Sequence, residues 1–178
     1  KVFFGSSVSL LTGATTVSAG LGGRLAVGAR GSEGADADDN ETGSGRTKGS
    51  VFLYTFDDTQ IATGNMNITR QASIGKGFAG ANDVNLTFTN NTDRAAGIID
   101  STANQNEGLN SVALSEGTDG STRLAVGIDA GDGLAGNSGT DYGEVILFTF
   151  SDSTNKDFST PSIAAVIGYG FDNDYSNS

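Results

Sequence analysis

The sequence predicts an all-β protein built from two copies of one unit. The pentapeptide RLAVG at 24–28 recurs letter for letter at 123–127, in matching surroundings. Apolar residues cluster in short runs bounded by Gly, Thr, Asn and Asp, which is typical of strands separated by turns. Gly supplies 27 of the 178 residues, and a Gly inside a helix costs about 1 kcal/mol relative to Ala, so we expect no helical domain.

Four strands are predicted in the first unit, and an alternating segment (DVNLTFT) follows them. The strongest is GSVFLYTF, whose two faces are both apolar or aromatic, which predicts a strand covered on both sides. The segment DDTQIATG that follows it has the composition of a turn. The four strands are expected at 3–10, 24–29, 49–56 and 66–74, and the additional segment lies at 83–89.

The second unit repeats the strands of the first and shortens the loops between them, as structural repeats do. We therefore divide the chain into a first repeat at 1–90, a connecting segment at 91–107 and a second repeat at 108–178. Each repeat is expected to form a four-stranded antiparallel meander. The two meanders would pack as a sandwich or as an incomplete propeller that neighbouring subunits complete. The matching segments are 6–10 with 110–114, 24–28 with 123–127, 49–56 with 143–150, and 74–78 with 167–171.

Composition argues against several classes of function. The net charge of −11 opposes binding to nucleic acid and to anionic membrane surfaces. The chain has no Cys and no His, which excludes thiolate chemistry and removes the commonest general base. No pair of carboxylates is flanked by aromatic residues as in a sugar-cleaving site, so we do not expect an enzyme.

The location is expected to be extracellular or at the cell surface. The sequence begins at Lys1 without a Met and has no apolar run long enough to span a membrane. We interpret it as a processed, secreted segment, and a trimmed chain is the alternative.

Two acidic loops are candidates for calcium binding. Alternating carboxylate and amide oxygens suit Ca²⁺, but the first loop lacks the Gly and the distal Glu of an EF-hand, and a solvated acidic loop is the alternative. No other cofactor is expected. The candidate ligands are Asp36, Asp38 and Asn40 in the first repeat and Asp129, Asp132 and Asp141 in the second.

Four asparagines open Asn-x-Ser/Thr sequons, which chance also produces in a chain rich in Asn and Thr. They are Asn40, Asn67, Asn85 and Asn90. Arg24 and Arg123 precede the same strand in both repeats, and each is predicted to form a structural ion pair with an acidic loop residue.

The repeated motifs resemble a known family. The segments FGSSV at 4–8, LAVGA at 25–29 and GSVFLY at 49–54 resemble, in this order, the FG-GAP repeats of integrin-alpha-like β-propellers, as found in tandem-repeat bacterial surface proteins. The resemblance implies blade-like sheets. A propeller closes with about 4 to 8 blades, so two repeats imply that neighbours complete the structure. Integrin repeats carry an Asp-rich calcium loop before the LAVGA strand, whereas Asp119 is the only Asp in the matching segments 12–23 and 115–122.

Two functions follow as hypotheses. The first is a structural subunit of an extracellular filament or cell-surface array that polymerises with its own kind through β-sheet edges. The alternative is an adhesin or binding module that recognises a glycan or protein through the loops 30–48 and 129–141. The residues expected at the subunit contact are Val2, Phe3, Phe4, Val8 and Leu10.

Overall fold

A computed structural model describes residues 3–12, 22–32, 35, 49–75, 77–86, 109–128, 143–154 and 156–168. It confirms the all-β class: these residues form two sheets, one from each repeat. Among them, no helix has the length and apolar character needed to cross a membrane.

Sheet A, formed by the first repeat, has five strands in the order β1-β2-β3-β4-β5. The first three junctions are antiparallel, but β5 pairs with β4 in parallel. The first four strands thus form the predicted antiparallel meander, and β5 adds a fifth, parallel strand to it. The strands are β1 (Phe3–Leu11), β2 (Gly23–Arg30), β3 (Ser50–Phe56), β4 (Thr69–Gly75) and β5 (Val84–Asn85).

Asp83 is the physical reason for the fifth strand. Its carboxylate accepts a hydrogen bond from the backbone N–H of Ser73 at 2.6 Å and another from Gly80 at 2.8 Å. The backbone N–H of Leu86 then donates to the carbonyl of Gly75 at 3.1 Å. These bonds hold the returning chain beside β4, so the predicted strand at 83–89 is short, and residues 87–89 lie outside the described residues.

Sheet B, formed by the second repeat, is the predicted four-stranded antiparallel meander in the order β6-β7-β8-β9. Its outer strand β9 begins at the single proline of the chain, at an edge where a missing N–H interrupts no ladder. The strands are β6 (Leu109–Glu116), β7 (Thr122–Ile128), β8 (Glu144–Phe150) and β9 (Pro161–Gly168).

The two sheets share their irregularities as well as their strands. The third and fourth strands of each repeat shift register at the same place, between Leu53 and Tyr54 in sheet A and between Leu147 and Phe148 in sheet B. A bulge is a built feature of a sheet, so its recurrence supports one ancestral unit used twice.

A short 3₁₀ helix, Asp58–Thr63, stands where the composition predicted a turn. The side chain of Asp57 accepts the N–H of Thr59 at 3.0 Å at its start, and Gly64 ends it at φ 74°. A left-handed residue at this place suits Gly.

The sheets pack front to back. We call the side of each sheet that carries the Arg and Ala of RLAVG its front face, and the side that carries the Leu and Val its back face. The core joins the front of sheet A to the back of sheet B. Its main members are Ala26, Val51, Leu53, Ala72 and Ile74 from sheet A, and Leu124, Val126, Ile128, Ile146, Phe148 and Val166 from sheet B.

This packing corrects one expectation about β3. Val51 and Leu53, on the front face, are fully buried, but Phe52 and Tyr54, on the back face, are only half-buried. The strand is thus covered completely on one side alone.

Candidate assembly surfaces

The predicted calcium ligands, Val2, Asn40 and Asn90 lie outside the described residues, as does the side chain of Phe3. Within the described residues, no group of three or more carboxylates is arranged to hold a metal ion. The sequon residues Asn67 and Asn85 are both exposed. Asn67 has a left-handed backbone (φ 47°), and Asn85 accepts the N–H of Gly77 through Oδ1 at 2.9 Å.

The predicted contact residues of β1 lie on the back face of sheet A. Phe4, Val8 and Leu10 are 61%, 59% and 57% exposed. Strand pairing places Val8 beside Val27 and Leu10 beside Leu25. The structure therefore brings these side chains together as one apolar surface.

Aromatic rings extend the same back face. The ring centroids of Phe4 and Phe52 are 5.8 Å apart, and those of Phe52 and Phe78 are 6.0 Å apart. Such pairs contribute about 0.5–1.5 kcal/mol beyond the area they bury. These contacts hold the aromatic side chains in place on the back face even though Phe4 remains largely exposed.

The front face of sheet B carries an open groove of about 280 Å³. Its lining is mainly apolar and includes Ala113, Arg123, Ala125 and Leu147. Ile167, which strand pairing places beside Val145 on this face, is 56% exposed. The groove and Ile167 together make this face a candidate contact surface.

Serines of β1 cover the outer edge of β6. The backbone N–H of Leu114 donates to Oγ of Ser9 at 2.8 Å, and the hydroxyl of Ser6 donates to the carbonyl of Asn110 at 3.5 Å. Strand addition needs free backbone groups at an edge. These bonds occupy part of the β6 edge, so the faces are the more accessible surfaces.

A buried guanidinium joins the two repeats. Arg24 on β2 is fully buried, and it donates from Nη1 to the hydroxyl of Thr122 at 2.5 Å and from Nη2 to Glu116 Oε2 at 2.6 Å. Its Nε has no hydrogen-bond partner. Burying a charge is costly unless it is paired and hydrogen-bonded, so these two bonds are what permit Arg24 to lie in the interface.

The loop after β8 completes the network. Asp152 accepts the backbone N–H and the hydroxyl of Thr122, at 2.7 Å and 2.5 Å. Lys156, which is also buried, donates to Glu116 Oε1 at 3.2 Å and to the carbonyl of Gly120. Two cations and two carboxylates are thus balanced, which is the arrangement of a structural network.

The network holds Glu116 as a carboxylate. Burial raises the pKa of Glu116, but hydrogen bonds and positive charge from Arg24 and Lys156 outweigh this effect and leave the pKa below the ordinary value of 4.5. The pKa of Asp119 is also lowered, first by the hydroxyl and then by the backbone N–H of Ser121.

Both repeated arginines form ion pairs, but the pairs are not equivalent. Arg123 reaches Asp119 at 3.8 Å, a loop residue as predicted, and its side chain is 50% exposed. The partner of Arg24 is instead Glu116, at the end of a strand in the other repeat. The buried Arg24 lies on the front face of sheet A and the exposed Arg123 on the front face of sheet B. The front face of sheet A is therefore the covered one.

Sequence reasoning missed Glu116, Asp152 and Lys156 as interface residues. The one available signal is a mismatch between the repeats, because Thr122 stands where the first repeat has Gly23. Comparisons with protein families, curated proteins and solved structures gave no match.

Proposed function

We propose that this chain is a structural subunit of an extracellular filament or cell-surface array, assembled from further copies of itself. The front-to-back packing of its two repeats carries the proposal. Two sheets that packed front to front would leave two equivalent back faces on the outside, and equivalent faces favour a closed twofold contact. In this chain the outer part of the back face of sheet A, at Phe4, Val8 and Leu10, and the groove on the front face of sheet B stay exposed.

Non-equivalent faces favour continued assembly. A contact between two different surfaces of one molecule forms a ring if the rotation closes and an open filament if it does not. The exposed back of sheet A and the exposed front of sheet B lie on opposite sides of the paired sheets. The extracellular setting is part of the proposal, and the resemblance to repeats of surface proteins supports it.

Sedimentation velocity and negative-stain electron microscopy of the purified chain test the assembly. We expect particles that grow with protein concentration into rings or linear polymers of 18.0 kDa protomers. A monomer at every concentration and ionic strength would contradict the proposal. Surface labelling of intact source cells with an antibody tests the location, and labelling only after lysis would contradict that part.

A further inference from the structure

The two open faces match the two halves of the interface that the chain already contains. On the back of sheet A, Val8 and Leu10 are exposed and Leu25 is partly buried, whereas Val27 is only 5% exposed. Their counterparts on the back of sheet B pack against or within the core. These counterparts are Val112, Leu114, Leu124 and Val126, each in the same strand register.

The front faces match just as closely. The back of sheet B packs against the front of sheet A at Arg24, Ala26, Val51 and Leu53. Sheet B has the same side chains at these positions, partly or largely exposed. They are Arg123, Ala125, Val145 and Leu147.

We infer that the front face of sheet B binds the back face of sheet A of a second copy, and so repeats the internal interface between chains. The inference rests on the proposed function and names the surfaces that would mediate it. In the internal interface, β6 packs beside β1. If the same packing is repeated between copies, β1 of the second copy lies along the groove of sheet B, with Val8 and Leu10 against Ala113 and Ala125.

Charge supports the same register through Asp58 alone, because Glu116 and Thr122, which bind Arg24, have Thr12 and Gly23 as their counterparts in sheet A. Arg24 reaches the corner of sheet B that carries Asp152, two residues after Phe150. Asp58 stands two residues after Phe56 at the corresponding corner of sheet A. The intermolecular contact would bring Arg123 of one copy to Asp58 of the next, which joins opposite charges between two acidic molecules.

Arginine substitutions on each face provide the test. V8R/L10R places two charges on the back of sheet A, and A113R places one on the front of sheet B. All three positions are exposed, so the variants should fold, and circular dichroism with urea unfolding checks this. Each variant alone should raise the dissociation constant for self-association at least about tenfold. I68R, at another exposed apolar residue that is 54% exposed and lies just before β4, should associate like the wild type.

Mixing the two face variants separates this inference from other modes of assembly. V8R/L10R keeps an intact front face and A113R keeps an intact back face, so an equimolar mixture should form a 1:1 dimer that grows no further. Wild-type assembly that is insensitive to both variants, or a mixture that stays monomeric, would overturn the inference and leave the proposed function standing. A wild type that never associates would overturn both. Sedimentation velocity with one variant fluorescently labelled distinguishes these outcomes.

Discussion

Arg24 and Arg123 occupy the same position of the repeated motif but lie in different environments. Arg24 is fully buried with two acceptors, whereas half of the Arg123 side chain is exposed. Removing one partner of a buried ion pair leaves the other partner unpaired and costs far more than removing a surface charge. The chain therefore supplies its own matched control for the role of this residue.

We expect R24M to lower the free energy of unfolding by about 2–4 kcal/mol, somewhat less than for a fully buried pair because Glu116 is 36% exposed. R123M should change it by less than about 0.5 kcal/mol. Urea denaturation followed by circular dichroism measures both. Equal effects of the two variants would show that the network does not lock the repeats together.

Glu116 makes the interface sensitive to acid. Its pKa in the folded chain lies below the ordinary value of 4.5, so the carboxylate stabilises the fold above about pH 4.5, and this contribution is lost as the pH falls through the folded-state pKa. In E116Q, the unfolding free energy should decline less steeply than in the wild type as the pH falls below about 5. Urea titrations at fixed pH values measure the slopes, and parallel slopes would contradict the assignment.

At the scale of the strand, the repeated glycine sets how closely neighbours approach. A Cβ on Gly28 would lie 2.5 Å from Oγ of Ser7 and 3.3 Å from the carbonyl oxygen of Asn110 in the other repeat. A Cβ on Gly127 would meet the hydroxyl of Ser111, which is on an exposed residue. The motif thus keeps its Gly because side chains of the first strand of each repeat occupy that space.

We expect G28A to destabilise the chain by about 1–3 kcal/mol, because the backbone of β6 cannot move aside without breaking the interface. G127A should cost less, since the Ser111 side chain can rotate toward solvent. Adding S7A to G28A should recover part of the loss, because it removes the nearest contact and an Oγ that has no hydrogen-bond partner. Thermal unfolding of the three variants is the measurement, and a G127A loss as large as that of G28A would argue against this account.

For the whole molecule, charge opposes the assembly that the faces favour. Each copy carries a net charge of −11, so copies repel one another over distances that salt shortens from about 10 Å at 0.1 M to about 3 Å at 1 M. Apolar contact acts at short range and is not screened in this way. Assembly is then a balance that ionic strength shifts.

We expect self-association to strengthen when NaCl is raised from about 0.05 M to about 0.5 M, because screening lowers the repulsion between copies. Sedimentation velocity at fixed protein concentration measures the change. The V8R/L10R variant, which is expected to stay monomeric on its own, serves as the control, and its sedimentation should not change with salt. Weaker association at high salt would mean that ion pairs such as Arg123 with Asp58 outweigh the net repulsion.

The strands and their repetition were predictable from local pattern. Short apolar runs between turn residues located seven of the nine described strands closely, and the recurrence of RLAVG paired the repeats. The exceptions are β5, which is shorter than the predicted 83–89, and β9, which lies mostly before the matched segment 167–171. The fifth strand of sheet A was predicted as a segment but not its parallel pairing, because the pairing depends on Asp83 reaching across to Ser73. The apolar β1 residues were predicted as contact residues because a terminal strand can add to the edge of a neighbour's sheet, and the structure places Phe4, Val8 and Leu10 on a sheet face.

By itself, the sequence determined the all-β class, the twofold repeat and the apolar character of both faces of GSVFLYTF, the third strand of the first repeat. Only the tertiary structure decided which face of each repeat is buried. The reason is physical: both faces of the repeat are apolar enough to form a core, so local alternation does not choose between them. The choice comes from long-range contacts, above all Arg24 with Thr122 and Glu116, and these form only when the two repeats pack together.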